Sequence, residues 1–568
     1  MNRKRKARLT LQLLLGCFAI LSCDSSNRAE PASNKSHASQ LTDITERANL
    51  HFIHQMGELG SYYYPEIIGA GGGFLDYDND GDLDVYVVSG AERGTNSHPL
   101  RNRLFRQRGD GTFEDVTEAS GLGDPGYGMG VAAGDIDNDG DVDVYVTNVG
   151  RDALYRNNGD GTFTDISQRA GVANDKWGSS AVFFDLDLDG FLDIYVANYV
   201  LLDTTVTCTD AGGRQDYCGP PFYAGVADVL LHNNGDGTFS DVSRTSGVAM
   251  GSSKGLGVVS VDVNGDVYPD IYVANDGEPN HLWINQHDGT FGDRALEMGA
   301  AVNSLGRAEA GMGLALGDVD NDGEADLFVS HLKGESNTLY RRGEYAFEDD
   351  TFAAGLAGPS IPYTGFGTVL VDFDQDGDQD ILLVNGRVLR GPMMALGAGS
   401  DYWDPFAEPN KVFENDGNGH FSDVSANLPA FSEDVSNSRG LAAGDVDNDG
   451  DVDFLVTNGG GEVRLFRNDS PSDRHWLTVR ALIPELNRVA IGAVVTVSLG
   501  EKRLYRYVTR GYSYLSTNDP RVHFGLGSAT SIDSIVVRWP DGMRESFTVA
   551  GVDRIVTLER GRGTKLDV

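Results

Sequence analysis

A chain of 568 residues with 40% hydrophobic side chains has ample material for a large core, and its formal net charge of −40 leaves no basic stripe to neutralise phosphates. Nucleic acid is excluded as a partner on that ground. Much of the acidity lies in short loops that recur along the chain, so the charge itself points to metal sites.

The N-terminus sets Arg3-Lys4-Arg5-Lys6 ahead of an apolar run from Leu9 to Leu21 and then Ser22-Cys23, the order of a secretory signal over residues 1–22. The run is too short to stay in a membrane as a helix. Ile20-Leu21-Ser22-Cys23 resembles a bacterial lipoprotein box, which makes Cys23 the expected lipidation site and the lipid the only expected membrane contact. Leu15-Gly16-Cys17 competes less well because it leaves a very short apolar region, and an ordinary cleaved signal with an incidental cysteine is the alternative. Residues 23–40 form a Ser- and Asn-rich tether with nothing to pack. The expected location is a bacterial membrane, facing the periplasm or the cell surface.

The first acidic loop carries Asp76, Asp78, Asp80, Asp82 and Asp84 around Gly81. The arrangement returns as Asp135, Asp137, Asp139, Asp141 and Asp143; as Asp185, Asp187, Asp189 and Asp193; as Asp262, Asn264, Asp266 and Asp270; as Asp318, Asp320, Asp322 and Asp326; as Asp372, Asp374, Asp376, Asp378 and Asp380; and as Asp445, Asp447, Asp449, Asp451 and Asp453. Side-chain oxygens at positions 1, 3 and 5, a backbone carbonyl at position 7 and a carboxylate at position 9, with a glycine for the reversal, suit one hard cation per loop. Calcium is expected, up to seven ions, because no sulfur or imidazole is offered. An EF-hand is excluded, since its twelfth position would be Val87, inside a β-like run. The competing reading is a set of acidic Asx turns without metal. The fourth loop has an amide at position 3 and its glycine at position 4, so it is expected to bind most weakly.

Apolar stretches flank each loop, as in Gly130 to Gly134 and Val142 to Val146, and a third and fourth strand follow, as in Ala153 to Arg156 and Phe163 to Ser167. Four strands per unit and seven units predict an all-β protein with a seven-bladed β-propeller over residues 41–470. The seventh unit lacks its fourth strand, and Leu41 to Glu46 reads like Phe113 to Glu118, so the N-terminal segment is expected to close the ring.

Three long insertions, near residues 89–101, 199–227 and 386–409, fall between second and third strands and so share the face opposite the acidic loops. Cys208 and Cys218 lie in one of them and are expected to form a disulfide. Aromatic residues collect there too, and Trp177, Tyr223, Tyr402 and Trp403 are the candidate contacts for a protein or glycan partner. Packing beneath their own loops is the alternative. No Gly-X-Ser-X-Gly elbow, His-Glu-X-X-His or phosphate loop occurs, so no catalytic residue is assigned.

Residues 474–558 show short alternating β runs and predict a small β-sandwich, with Phe524 and Trp539 in its core and residues 559–568 as a tail. The Asp-Gly-Thr-Phe turns and acidic loops resemble the FG-GAP repeats of integrin α-subunit propellers. Lys254-Gly-Leu-Gly, Ala274 to Asn280 and Ala310-Gly-Met-Gly resemble the cartilage acidic protein family in its bacterial form. Ala490 to Val497, Gly511 to Ser516, Phe524 to Gly527 and Arg538 to Gly542 resemble the ASPIC/UnbV domain that ends those proteins. The integrin-like repeats favour a calcium-stabilised surface binding or adhesion protein. Calcium-bearing propellers also occur among polysaccharide lyases, which would need a base and a cation from Lys176, Lys254, Arg307, His331, Lys333 or Arg387.

Overall fold

The computed structural model describes residues 40–566 apart from 58–59, 92–99, 173, 395–401 and 471–472. The expected signal, Cys23 and the tether up to residue 39 lie outside the described residues. Among the described residues, seven antiparallel sheets follow one another along the chain, each built on four strands. Their first strands are Gly72–Leu75, Gly128–Gly134, Gly178–Phe184, Gly255–Val261, Leu314–Gly317, Gly365–Val371 and Ser438–Gly444, numbered here as blades 1 to 7. Second strands such as Asp143–Asn148 are buried at every position because a neighbouring blade covers each face, so they read as continuous apolar runs. Outer strands such as Phe163–Asp165 keep only one residue buried.

Leu41–Asp43 is the outer strand of blade 7, with Leu41 opposite Asn468 and Asp43 opposite Phe466. First and last segments of the ring are thereby laced together, and the last blade has no bare inner edge at residues 464–468.

A ring of hydrogen bonds runs from blade to blade. The Asp that opens each second strand accepts two backbone N–H groups; Asp143 takes those of Ile136 (2.9 Å) and Asn157 (2.8 Å). Asn157 in turn donates its amide to Tyr77 O of the preceding blade at 2.7 Å. Asn233, Asn285, Asn415 and Asn468 make the same bond at 2.7–2.9 Å, while Gln107 in blade 1 and Arg342 in blade 5 make it at 2.9 and 3.1 Å. The pattern closes on itself, since Gln107 reaches Val446 O of blade 7. Each bond satisfies a buried carbonyl that no strand pairs.

The C-terminal region has two sheets on one core. In the first, His475–Ile483 pairs with Val522–Gly527 and, in parallel, with Arg554–Glu559; in the second, Val494–Leu499 lies between Lys502–Tyr507 and Ser534–Arg538. Leu477, Val479, Val497, Phe524 and Trp539 fill the space between them, as expected for the two aromatics. The supposed tail is corrected in part, because Thr564–Lys565 pairs with Arg544–Phe547 and belongs to the second sheet.

This C-terminal domain is not an appendage. Its segment from Arg510 to Asn518 passes up the axis of the ring, where Ser513 to Asn518 are all buried. Ser516–Thr517 pairs in parallel with Gly72 and Gly73 of blade 1, Leu515 O accepts Val131 N of blade 2 (3.3 Å), and Leu515 N donates to Ser180 Oγ of blade 3 (3.1 Å). Ser513 bonds Leu314 of blade 5 and Thr368 of blade 6, and Asn518 Oδ1 accepts Ala443 N of blade 7 at 2.9 Å. The axial segment is therefore a plug gripped by inner strands.

Candidate metal loops and the face opposite them

Each acidic loop turns through two left-handed residues, positions 4 and 6, as at Asn79 (φ 57°) and Gly81 (φ 92°). One oxygen of the position-1 Asp accepts the position-6 N–H, at 3.0 Å for Asp135 and Gly140 and 2.8 Å for Asp372 and Gly377. The position-5 Asp accepts the position-7 N–H, at 2.9 Å for Asp139 and Asp141. These are the bonds of an acidic turn. In loops 1 and 2 they leave Oδ1 of the position-1 Asp over, whereas in loops 3, 5, 6 and 7 both of its oxygens accept backbone N–H groups, as at Asp185 and Asp445. Oδ1 of Asp76, Asp78, Asp135, Asp137 and Asp320 is buried with no hydrogen-bond partner, and Oδ1 of Asp374 meets only Arg474 Nη1 at 2.9 Å. Ligand oxygens of Asp76, Asp78 and Asp84 lie within 4.8 Å of one another, as do those of Asp135, Asp137 and Asp143; of Asp185, Asp187 and Asp189; and of Asp318, Asp320 and Asp326. Partnerless buried carboxylate oxygens at this spacing are what a hard divalent cation satisfies, so the donor set fits calcium at positions 1 and 3, beside a position-9 carboxylate that already accepts two backbone N–H groups.

Burial is the largest cause of the high pKa of these groups in the metal-free loops. It pushes Asp135 to about 6, Asp185, Asp318, Asp372 and Asp445 to about 7, and Asp84 and Asp270 to about 8, with neighbouring carboxylates of the same loop adding to it.

The position-7 carboxylates counted among the metal residues do something else. Asp82, Asp141, Asp378 and Asp451 accept the side-chain amide at position 4 of the preceding loop, as in Asn79 to Asp141 (2.7 Å) and Asn321 to Asp378 (2.9 Å), and so bind loop to loop. Only their backbone carbonyls remain for the metal reading.

Loop 4 differs as expected in its ligands but not in its backbone. Gly265 (φ 76°) takes the position-4 conformation that Asn has elsewhere, and Val267 (φ 84°) takes the one that glycine has elsewhere, a strained place for a β-branched residue. Its acids are also engaged, Asp262 by Arg538 at 2.7 Å and Asp266 by His287 at 2.8 Å. No oxygen of this loop is among the partnerless ones.

The sequence reading missed the basic residue on the third strand that flanks position 3. Arg341 lies 3.4 Å from Asp320 and Arg467 3.5 Å from Asp447. In blade 3 that place falls to His232, whose ring joins Asp187 and Asp193 and is raised to about 8 by its hydrogen bond to Asp193. The alignment of Leu230-Leu231-His232-Asn233 with Leu154-Tyr155-Arg156-Asn157 was the available signal.

On the opposite face the Cys208–Cys218 disulfide is formed, with Cα atoms 5.2 Å apart. The aromatic candidates there need correction. Trp177, Tyr223 and Trp403 are buried and Tyr402 half-buried, and all pack in one cluster with Tyr64, Tyr199 and the plug residues Tyr514 and Leu515. Tyr64 stacks on Tyr223 at 4.9 Å, and its hydroxyl meets that of Tyr199, which donates to the buried Asp276 at 2.5 Å. They form the roof over the plug, because large rings exclude water from the channel mouth better than the polar loops can. Among the described residues, the large exposed apolar side chains on the insertions are Leu201, Phe222, Leu389 and Met393.

The residues weighed for lyase chemistry are mostly committed. Lys176 donates to Ala227 O (2.7 Å), Lys254 pairs with Glu278 (2.9 Å) and Arg387 with the buried Glu408 (2.9 Å). His331 is buried against Ser336 O, and burial lowers it to about 4. Arg307 and Lys333 are exposed on separate turns.

The profile described as FG-GAP-like repeat matches residues 76–146, 135–196, 213–273, 262–329 and 396–456, and that described as ASPIC and UnbV matches 484–565. Cartilage acidic protein 1 of Xenopus tropicalis is 28% identical over 523 residues, covering 86% of this chain and 72% of that protein. The Homo sapiens protein of the same name is 27% identical over 336 residues, 56% of this chain and 46% of its own length, so the chain spans about half of that relative. Among solved structures, the BP39L lectin from Burkholderia pseudomallei is similar at TM-score 0.41 and 10% identity, over 71% of this chain and 97% of the lectin. Bacillus licheniformis rhamnogalacturonan lyase PL11 is similar at TM-score 0.35 and 13% identity, over 70% and 71%. Likeness at that level does not bear on function. With repeat matches over more than half of its length and the ASPIC and UnbV match behind them, the chain belongs to the FG-GAP-like repeat family.

Proposed function

We propose that this is an exported, calcium-binding surface protein that engages a protein or glycan partner through the propeller face opposite the acidic loops. The observation that carries the calcium reading is the set of buried, partnerless carboxylate oxygens in loops 1, 2 and 5. Recognition is assigned to the insertions because they hold exposed apolar side chains, such as Leu201 and Phe222, on a scaffold stiffened by the disulfide and by the aromatic roof. The engagement of Lys176, Lys254, Arg387 and His331 by their own neighbours favours binding over lyase chemistry. The test is a glycan array and a surface-protein screen with calcium-loaded protein, repeated with Leu201→Asp/Phe222→Ala. Those side chains are exposed, so the melting temperature should hold while binding falls by an order of magnitude or more. Equal binding by the double variant would place the site elsewhere.

Export and lipidation at Cys23 belong to the same reading, supported by the basic and apolar leader and by a disulfide that needs an oxidising compartment. The parent should sediment with membranes and Cys23→Ser should move to the soluble fraction. Identical fractionation of the two would remove the lipid anchor.

A further inference from the structure

A cleft of about 710 Å³ separates the C-terminal domain from the acidic loops of blades 1, 2 and 7. Its C-terminal wall carries Arg480, Arg488, Arg510 and Arg521, four guanidinium groups in a chain that is otherwise strongly acidic. Arg521 is spoken for, by Asp519 at 2.8 Å and Asn448 at 2.6 Å. Arg488 is held through Nη2 alone, by Gly190 O at 3.0 Å and Asp185 at 3.6 Å. It and Arg510 are more than nine-tenths buried, and Nε and Nη1 of Arg488 and Nη1 of Arg510 have no hydrogen-bond partner. A buried guanidinium with unfilled donors is a costly arrangement, and an oxyanion with its planar pair of acceptors is the group that matches it. Arg480, part-exposed at the same wall, adds a third charge. Between these charges the cleft is lined by Leu482, Pro484, Ile491 and Ile555, which suit a carbon skeleton rather than a bare ion.

The carboxylates on the facing wall are turned to their own loops. Asp76 accepts Gly81 N at 3.2 Å, Asp135 accepts Gly140 N at 3.0 Å, and Asp141 accepts Asn79 at 2.7 Å. We propose that this cleft binds an organic oxyanion, a carboxylate or sulfonate on an apolar or ring-shaped body, with Arg480, Arg488 and Arg510 holding the oxyanion and the Leu482 to Ile491 wall holding the body. The proposal leans on the calcium reading in one respect, that cations in loops 1 and 2 remove the repulsion of Asp76 and Asp135.

The test is calorimetric titration of the full chain at saturating calcium with two probes, inorganic sulfate and an arenesulfonate, with bound calcium measured separately. The arenesulfonate should bind one to one, more tightly than sulfate, and sulfate should compete with it. Arg480→Met, which leaves the buried arginines in place, should weaken it by about tenfold or more, with Arg480→Lys between the two. Arg510→Met should weaken it further, and near-ultraviolet circular dichroism shows whether that variant keeps its fold. Binding of sulfate alone, binding that Arg480→Met leaves unchanged, or no binding by protein that has taken up calcium each overturns the proposal. Protein that takes up no calcium and still binds the arenesulfonate through Arg480 supports the cleft while removing the calcium reading.

Discussion

Chelation should lower the melting temperature of the folded chain by on the order of 5–10 °C at neutral pH, and returning about 1 mM calcium should restore it. A site at the tight end of extracellular calcium modules, with a dissociation constant of about 10⁻⁴ M, contributes about 1.4 kcal/mol at that concentration. Sites on separate blades add, so six such loops give roughly 8 kcal/mol, and a chain of this size moves by about 1 °C per kcal/mol. Loop 4 is left out of that sum because Arg538 and His287 already hold its acids. Asp135→Ala should therefore lower the calcium-loaded melting temperature more than Asn264→Ala, and bound metal should stay below seven per chain. A chelated protein melting within a degree or two of the loaded one would establish the loops as acidic turns.

The same loops set a pH dependence whose sign reverses with metal. In the metal-free chain Asp135 is raised to about 6 and Asp185, Asp318, Asp372 and Asp445 to about 7, so the folded state holds protons that the unfolded state releases near pH 4. Its stability is thus highest at mildly acidic pH and falls as pH rises through about 4 to 8. Calcium requires the ionised carboxylates, so the loaded chain gains over that window instead. The gap between the two melting curves should widen from pH 5 to pH 8. A constant gap would separate the raised carboxylates from the metal.

The ring was legible in the sequence because period and chemistry coincide. Each acidic loop marks the turn between the first and second strands, and the missing fourth strand of the last unit pointed to Leu41 as its partner. The clustering of carboxylates from positions 1, 3 and 9 followed from the spacing alone. What spacing does not encode is where a side chain points once neighbouring blades pack. Asp141 alternates like a ligand yet serves Asn79 of the loop before it, and Trp177 and Trp403 look like surface aromatics until the plug arrives beneath them. The plug itself left one readable trace, Gly71 just ahead of the inner strand of blade 1 and Gly73 within it. A Cβ at Gly71 would sit 2.3 Å from Leu515 O and one at Gly73 2.0 Å from Thr517 O, contacts more than 440 residues away in sequence that no local pattern announces.

Those two contacts imply that the propeller and the C-terminal domain fold as one object, and that a chain ending at Ser470 should fail to give a soluble monomer although it retains all seven blades. Without the plug, Met129, Leu256, Met312 and Phe366 would line an empty axial channel instead of packing around Tyr514 and Leu515. The acidic loops would also lose Arg474, Lys502, Arg521 and Arg538, which reach Asp374, Asp378, Asn448 and Asp262 at 2.6–2.9 Å. Tyr514→Ala isolates the first effect. It removes a fully buried ring that packs 4.9 Å from Phe366 and donates to Ile68 O at 3.0 Å, so the loss should be about 3–5 kcal/mol. Gly73→Ala isolates the fit, because its clash is with a backbone carbonyl that no rotamer change relieves, and the plug must leave blade 1 to accommodate it. Both variants should melt earlier in the full chain with calcium bound. Both should also expose the axial segment to protease, cleaving between Arg510 and Asn518 before the blades are cut. A monomeric 1–470 chain with the parent's melting temperature, or a Gly73→Ala protein as protease-resistant as the parent, would mean that the blades close the ring unaided and that the plug only rests in it.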